Sequence, residues 1–182
     1  MKLGRLIARI IIGGLFFGHG AQKLFGWFGG PGLEGTEKMM DKLELRPARQ
    51  QALLAAGAET AGGGMVALGA LTPLAAAMLT GSMVTAIRKV HLPNGLWNMN
   101  SGYEYNLTLI AALAALIDGG PGKPSVDEAL GIHCTGPGWT VAALAAGVAG
   151  STLAIEMGGR AEEPQQPAEA SSAAEPEAAV PA

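Results

Sequence analysis

Five long apolar stretches occupy most of the chain, and they limit its folds more than any other feature of the sequence. They cover about residues 6–28, 51–71, 74–90, 103–117 and 139–157. A helix of about 20 apolar residues crosses the hydrocarbon core of a bilayer, and helices satisfy their own backbone hydrogen bonds there. The sequence therefore predicts an all-α membrane bundle, with four core transmembrane helices and a fifth from the last stretch.

The composition supports a membrane protein and argues against a nucleic-acid-binding one. Hydrophobic residues make up 49% of the chain and charged residues only 15%, whereas soluble domains carry about 25% charged residues. The net charge of −3 comes from residues 160–182, which hold one basic and five acidic side chains. The rest of the chain is almost electrically balanced and has no basic stripe for nucleic acid.

These patterns divide the chain into three parts. Residues 1–131 are predicted to form a four-helix membrane domain, and residues 132–159 an additional transmembrane helix. Residues 160–182 are rich in alanine, proline and glutamate and cannot bury a core, so we expect a disordered acidic tail. Between the first two stretches, residues 36–45 alternate apolar and charged side chains, as in an amphipathic helix on a membrane surface.

The predicted location is the cell (inner) membrane, with several passes. Basic residues before the first stretch also suit a signal peptide, but no small-residue cleavage site follows it, which favours an uncleaved span. The basic residues of the loops do not choose between the two orientations, because each orientation places a basic cluster inside.

Small residues inside the spans predict close helix packing. Gly14 and Gly18 form a small-xxx-small pair in the first stretch, and three glycines occupy positions 62–64 of the second. Membrane helices pack closely at such residues. A substrate-binding break of the transporter kind is the less favoured interpretation of the glycine run.

Polar side chains of the spans are predicted to converge on one half of the bilayer. Because successive helices alternate in direction, the end of the first span, the start of the second, the end of the third and the start of the fourth share one side. The candidate catalytic residues on that side are His19, Lys23, Glu59, His91 and Glu104, and the candidate quinone-binding residues are Tyr103, Tyr105 and Asn106. The opposite half is expected to be mostly aliphatic.

Two interpretations of this polar group stay open. It could form a pocket that exchanges protons with a quinone head group, since ionisable residues inside spans mark functional sites. It could also be a structural network in which Lys23 neutralises Glu59 and Arg88 pairs with Glu104, because buried charges need partners. The two are compatible, since a paired carboxylate near a histidine also suits a proton relay.

Metal and cysteine chemistry receive little support from the sequence. Haem would need two facing histidines, and only His19 and His91 lie on the predicted polar side. His133 and Cys134 are adjacent but have no further ligand residues near them. Because Cys134 is the single cysteine, a disulfide within the chain and a CxxC redox pair are excluded. We predict no metal site.

Three segments resemble the DoxX family of small integral membrane proteins. They are GHGAQKLFGWFGGPG at 18–32, AETAGGGMVALGALTP at 58–73, with Glu59 in the acidic position, and GYEYNLTLIAALAALIDGGPGKPSVDEALG at 102–131. The resemblance covers residues 3 to about 131 and implies a four-helix membrane bundle. DoxX relatives include the membrane subunit of an archaeal thiosulfate:quinone oxidoreductase, and others look like partners of superoxide dismutase and a thiosulfate sulfurtransferase in a mycobacterial oxidative-stress complex.

The residues and the resemblance together give two main hypotheses. The first is a quinone-linked membrane subunit of an oxidoreductase in sulfur, thiol or oxidative-stress metabolism, in which Lys23 polarises a carbonyl oxygen and Glu59 or His19 moves protons. The second is a non-catalytic anchor in the lipid bilayer, alone or as an oligomer, whose surface loop or tail recruits soluble redox proteins. A proton-coupled transporter is disfavoured by the apolar half of the bundle.

Overall fold

The computed structural model describes residues 3–160, and this part of the chain is all-helical, with no strand. The acidic tail predicted for 160–182 lies outside the described residues, apart from its first residue, which ends the last helix. The α-helices are α1 Leu3–Phe25, α2 Gly32–Lys42, α3 Ala48–Leu68, α4 Thr72–Ala86, α5 Glu104–Gly119, α6 Val126–Ala129 and α7 Pro137–Arg160.

Each of the five apolar stretches forms a long helix, so the predicted all-α class is confirmed. The helix ends follow local chemistry: Gly69 ends α3 with a φ of 64°, a left-handed conformation that glycine adopts without strain. Pro73 then lies in the first turn of α4, where its missing N–H costs nothing. Past Ala86 the chain continues through a wider helical turn, Ile87–His91.

Two helices of residues 3–160 are long and apolar enough to cross a membrane, Leu3–Phe25 and Pro137–Gly159. The helices α4 and α5 have 15 and 16 residues. A helix needs about 20 residues to span an average bilayer. The predicted set of four core transmembrane helices therefore stays a prediction.

The closest helix crossing joins α1 and α3 and is made by glycines. A Cβ atom on Gly13 would overlap the backbone of α3, and one on Gly63 would overlap the backbone of α1. Gly20 repeats this contact about two turns further along α1, against Thr60. The close packing predicted for the 62–64 run is thus present at Gly63. The prediction for Gly14 and Gly18 is wrong, because their missing side chains would point into open space.

The helix α4 lies at the centre of the bundle and contacts α3, α5 and α7. Its apolar residues form the main core together with residues of α1, α3, α5 and α7. The buried members of that core are Phe16, Val66, Ala75, Ala76, Leu79, Met83, Leu113, Leu116, Ile117 and Ala143. The fifth apolar stretch, α7, is therefore an integral part of the bundle.

The predicted amphipathic helix is present as α2, but it packs against the protein. Met40 and Leu45 are buried with Ala52 of α3, and Ile155 of α7 packs against this cluster. Its apolar side therefore contributes to a small second core instead of lying freely on a lipid surface. The exposed opposite side carries the Glu34–Lys38 ion pair, at 2.7 Å.

Candidate functional site

The predicted pair of Lys23 and Glu59 is present and forms the polar centre of the bundle. The Nζ atom of Lys23 lies 2.6 Å from both Oε1 and Oε2 of Glu59. The hydroxyl of Ser82 donates a third hydrogen bond, at 2.6 Å, to Oε1 of Glu59. Glu59 is only 2% exposed, so a carboxylate from α3 is held by one group from α1 and one from α4.

The close α1–α3 crossing explains why these groups meet. Gly20 allows α1 to contact α3 directly at Thr60, next to Glu59 in the sequence. Lys23 follows Gly20 by three residues and therefore lies near the same side of α1. In addition, the hydroxyl of Thr36 in α2 donates to the main-chain oxygen of Lys23 at 3.1 Å. The end of α1 is thus fixed from two sides.

A largely apolar cavity of about 480 Å³ opens beside this ion pair. Its walls come from α2, α3, α4, the turn Ile87–His91 and α7, with Lys23 from α1. The apolar side chains of the wall include Met40, Leu54, Ala58, Met78, Val90 and Ala154. The polar groups of the wall are Lys23, Glu59 and Ser82, together with Gln51, Thr85, Lys89 and Ser151. An apolar volume with a few converging polar groups is the usual form of a small-molecule site.

A second row of polar contacts joins α4 to α7 next to the cavity. The hydroxyls of Thr85 and Ser151 are 2.8 Å apart, and Arg88 donates to the hydroxyl of Thr152 at 3.0 Å. The structure thus places Arg88 with α7, and the Arg88–Glu104 pair expected from the sequence is not the arrangement found. Ser82 was not singled out in the sequence, although it is a polar residue within an apolar stretch.

The other candidate catalytic residues do not line this cavity. His19 lies on the exposed face of α1. The Nδ1 atom of His91 is 2.7 Å from the main-chain oxygen of Ser101. The exposed Glu104 accepts a hydrogen bond from the backbone N–H of Asn98 at 3.0 Å. These two contacts stabilise the loop between α4 and α5 and do not involve the Lys23–Glu59 ion pair.

The candidate quinone-binding residues also lie outside the cavity wall. Tyr103 is half-buried and Tyr105 is exposed. Asn106 is buried and donates to the sulfur of Met83 at 3.4 Å. Of the eight candidate residues, the structure brings Lys23 and Glu59 together at the cavity and leaves the others outside it. Within residues 3–160, no group of three or more His, Cys, Asp or Glu side chains could hold a metal ion.

The sequence suggested that the opposite end of the bundle is mostly aliphatic, but the structure places the buried Arg9 there. This side chain is 4% exposed. It donates to the main-chain oxygens of Ala67 and Pro121, each at 3.0 Å, and to that of Pro124. The sequence signal for this buried arginine site was the presence of a charged residue inside the first apolar stretch. Arg9 joins α1 to the end of α3 and to the loop after α5.

At the same end of the bundle, Asp127 caps the start of α4. Its carboxylate accepts hydrogen bonds from the backbone N–H groups of Leu71 at 2.7 Å and Thr72 at 3.0 Å, and from the Thr72 hydroxyl at 2.7 Å. The first N–H groups of a helix have no partner within the helix, and a carboxylate also interacts favourably with the helix dipole. Asp127, which lies in the segment 102–131 that resembles the DoxX family, therefore has a structural role.

Replacing Asp127 with alanine should lower the thermal stability of the protein in detergent. The change leaves two backbone donors and a hydroxyl without an acceptor, and a buried unsatisfied group costs about 1–3 kcal/mol. Thermal unfolding of the purified variant measures the loss. Asp118→Ala, at an exposed position near the end of α5, is the matched control and should unfold like the wild type. Equal unfolding temperatures for the two variants would contradict the capping role.

These features define a small helical membrane protein with a buried ion pair beside an apolar cavity. Residues 4–92 match the model of the DoxX family, and the chain belongs to that family of membrane proteins. The matched region ends after α4 and includes Lys23, Glu59 and Ser82, whereas α5, α6 and α7 lie beyond it. Comparison with the curated proteins and with the solved structures gives no match.

Proposed function

We propose that the protein is a multi-pass protein of the cell (inner) membrane and a quinone-linked subunit in sulfur, thiol or oxidative-stress redox metabolism. In this proposal α1, α3, α4 and α5 are the four core transmembrane helices and α7 is the fifth. Exposed aromatic rings support the membrane setting: Phe25, Trp27 and Phe28 adjoin one another at the end of α1, with centroid distances of 5.1 and 6.4 Å. Aromatic side chains of this kind are typical of membrane interfaces.

The observation that carries the proposal is the Lys23–Glu59–Ser82 group at the wall of the apolar cavity. A quinone has carbonyl oxygens on an otherwise apolar ring and tail, so it needs hydrogen-bond donors within an apolar volume. The cavity of about 480 Å³ lies within the range of about 300–1,000 Å³ that holds small ligands. The residues present therefore fit the head group of a quinone.

Lys23, Glu59 and Ser82 would hold the head group of the quinone, which would supply a two-electron, two-proton acceptor at the cavity. Two thiols joined in a disulfide, or two thiosulfate ions joined in tetrathionate, would supply the two electrons. The ammonium of Lys23 can donate a hydrogen bond to a carbonyl oxygen and stabilise negative charge on it. In this proposal Glu59 accepts a proton and passes it on, because its carboxylate borders the cavity beside Lys23. Since His19 faces away from the cavity, the proposed proton carrier is Glu59.

The proposal predicts that a short-chain quinone binds the purified wild-type protein in lipid nanodiscs and that Glu59→Gln weakens this binding about tenfold or more. The change removes the charge that orients Lys23, and hydrogen bonds to charged groups contribute about 1.5–3 kcal/mol. Equilibrium binding followed by quinone absorbance or tryptophan fluorescence gives the dissociation constants. Glu104→Gln, at an exposed glutamate outside the cavity, is the control and should bind like the wild type.

A redox role is tested in the same preparation by adding thiosulfate or a thiol and following quinone reduction. Equal binding by wild type and Glu59→Gln would contradict the assigned site. Absence of quinone binding by the wild type, together with specific co-purification of a soluble redox protein, would instead favour the anchor function.

A further inference from the structure

A second, polar cleft of about 340 Å³ lies at the end of the bundle away from Glu59. Arg5 contributes to it from the start of α1, and Lys23 follows Arg5 by eighteen residues. At a rise of about 1.5 Å per residue, this separation corresponds to about 27 Å along α1. The remaining wall comes from residues 119–123, which follow α5, and from Glu128, Ile132, His133 and Thr135. The cleft is therefore separate from the proposed quinone site.

The guanidinium of Arg5 is fixed in this cleft but is not fully hydrogen-bonded. One terminal nitrogen donates to the main-chain oxygens of Gly119 and Gly120. Its Nε atom is buried and has no hydrogen-bond partner within residues 3–160. Arginine carries five N–H donors in a planar fork, and buried donors in folded proteins normally have an acceptor. Because the Nε atom is enclosed, an acceptor from outside the chain would reach the guanidinium through its other terminal nitrogen, which donates no hydrogen bond within residues 3–160.

The charges around the cleft favour an anion. Arg5, Lys123 and His133 are the basic side chains of its wall, and Glu128 is the acidic one. The hydrogen bond from Lys123, at 2.5 Å, is the main reason that the pKa of Glu128 is lowered from its usual value. With Glu128 ionised, the two permanent cations still exceed the single anion, and a protonated His133 would increase this excess. A positive cleft of this kind attracts small anions.

The loop beside the arginine depends on glycines in the left-handed conformation. Gly122 has a φ of 73°, and a Cβ atom there would lie 3.6 Å from both Cζ and Nε of Arg5. Gly120 has a φ of 75°, and its Cβ would contact Thr135. Only glycine adopts these conformations at low cost. The guanidinium is thereby held between the loop and α1 before any ligand binds.

We propose that this cleft binds a tetrahedral oxyanion through Arg5, Lys123 and His133. Two sources share this chemistry: the phosphate of an anionic phospholipid head group, and a free anion such as inorganic phosphate. Basic pockets at the ends of transmembrane helices bind phospholipid head groups, and arginine pairs with phosphate through parallel hydrogen bonds. The site is a second ligand site in addition to the quinone site.

The test uses the full-length protein and compares two lysines with similar surroundings. Lys123 and Lys38 are each 70% exposed, and each is ion-paired with a glutamate; only Lys123 borders the cleft. In the lipid arm, native mass spectrometry measures retention of phosphatidylglycerol by protein released from nanodiscs of phosphatidylcholine and phosphatidylglycerol. In the free-anion arm, calorimetry measures binding of inorganic phosphate in nanodiscs of phosphatidylcholine alone.

We expect Lys123→Gln to weaken binding about tenfold in at least one arm, because a charge-assisted hydrogen bond is lost, and Lys38→Gln to leave it unchanged. A loss in the lipid arm alone identifies the head group, and a loss in the phosphate arm alone identifies a free anion. Arg5→Gln should weaken binding more strongly than Lys123→Gln. If Arg5→Gln impairs folding, the comparison of Lys123→Gln with Lys38→Gln still tests the site. Equal behaviour of Lys123→Gln and Lys38→Gln in both arms would overturn the site.

Discussion

Replacing Lys23 with methionine should lower the free energy of unfolding by about 3–5 kcal/mol, because removal of one partner leaves a buried charge uncompensated. The side chain of Glu59 is 3% exposed, so its carboxylate would keep only the hydrogen bond from Ser82. The apolar stem of methionine is similar in length to that of lysine, so the change removes the charge with little loss of packing. Equilibrium unfolding in mixed detergent micelles, followed by helical circular dichroism, measures the difference.

A double variant separates the loss of charge balance from any loss of packing. Lys23→Met combined with Glu59→Met removes both charges and should recover most of the stability, because well-packed apolar replacements of a buried ion pair are often neutral or stabilising. Lys38→Met breaks only an exposed ion pair on α2, at 2.7 Å, and should leave the free energy of unfolding close to that of the wild type, because solvent screens exposed pairs. A double variant no more stable than Lys23→Met alone would contradict a burial penalty on Glu59.

Gly63→Ala should destabilise the bundle by about 1–3 kcal/mol, the usual cost of an overpacked interior. Its new methyl group would overlap the backbone of Phe17 and the main-chain oxygen of Gly13, and backbone atoms cannot rotate away. The two helices would have to separate, which would also move Lys23 away from Glu59. The measurements are the unfolding temperature of the purified variant and its quinone affinity, which should both fall.

The neighbouring glycine provides the control for this change. A Cβ on Gly64 would approach only a ring carbon of Phe17, at 3.8 Å, an ordinary van der Waals distance. Gly64→Ala should therefore be neutral or slightly stabilising, since alanine favours a helix over glycine by about 1 kcal/mol. If the two variants unfolded at the same temperature, the glycine contact between α1 and α3 would not be the feature that sets their separation.

The helices and the central ion pair could be predicted from the sequence because both depend on position along the chain. The length of each apolar stretch identified a helix, and alternating helix direction placed Lys23 and Glu59 on the same side of the membrane. The glycine run that contains Gly63 likewise indicated a close helix crossing in the second stretch, although not its partner helix. These features require no knowledge of how each helix is rotated about its axis.

The features that the sequence did not predict depend on that rotation and on the path of the loops. Gly13 and Gly14 are adjacent, yet successive residues point about 100° apart on a helix with 3.6 residues per turn, and only Gly13 faces α3. His19 shares its depth with the cavity but faces outward. The role of Arg9 could not be predicted because its acceptors include main-chain oxygens of the loop after α5, whose path no periodic pattern describes.

The cavity beside Lys23, Glu59 and Ser82 is proposed to hold the head group of a quinone. Photolabelling of the wild-type protein in membranes with an azido-quinone, followed by peptide mass spectrometry, tests it most directly. We predict labels on the cavity-facing residues of α3, α4 and α7, among them Met78 and Ala154, reduced by excess unlabelled quinone and by Glu59→Gln. Labels spread over the outer face of α1, unaffected by competitor or by Glu59→Gln, would contradict it.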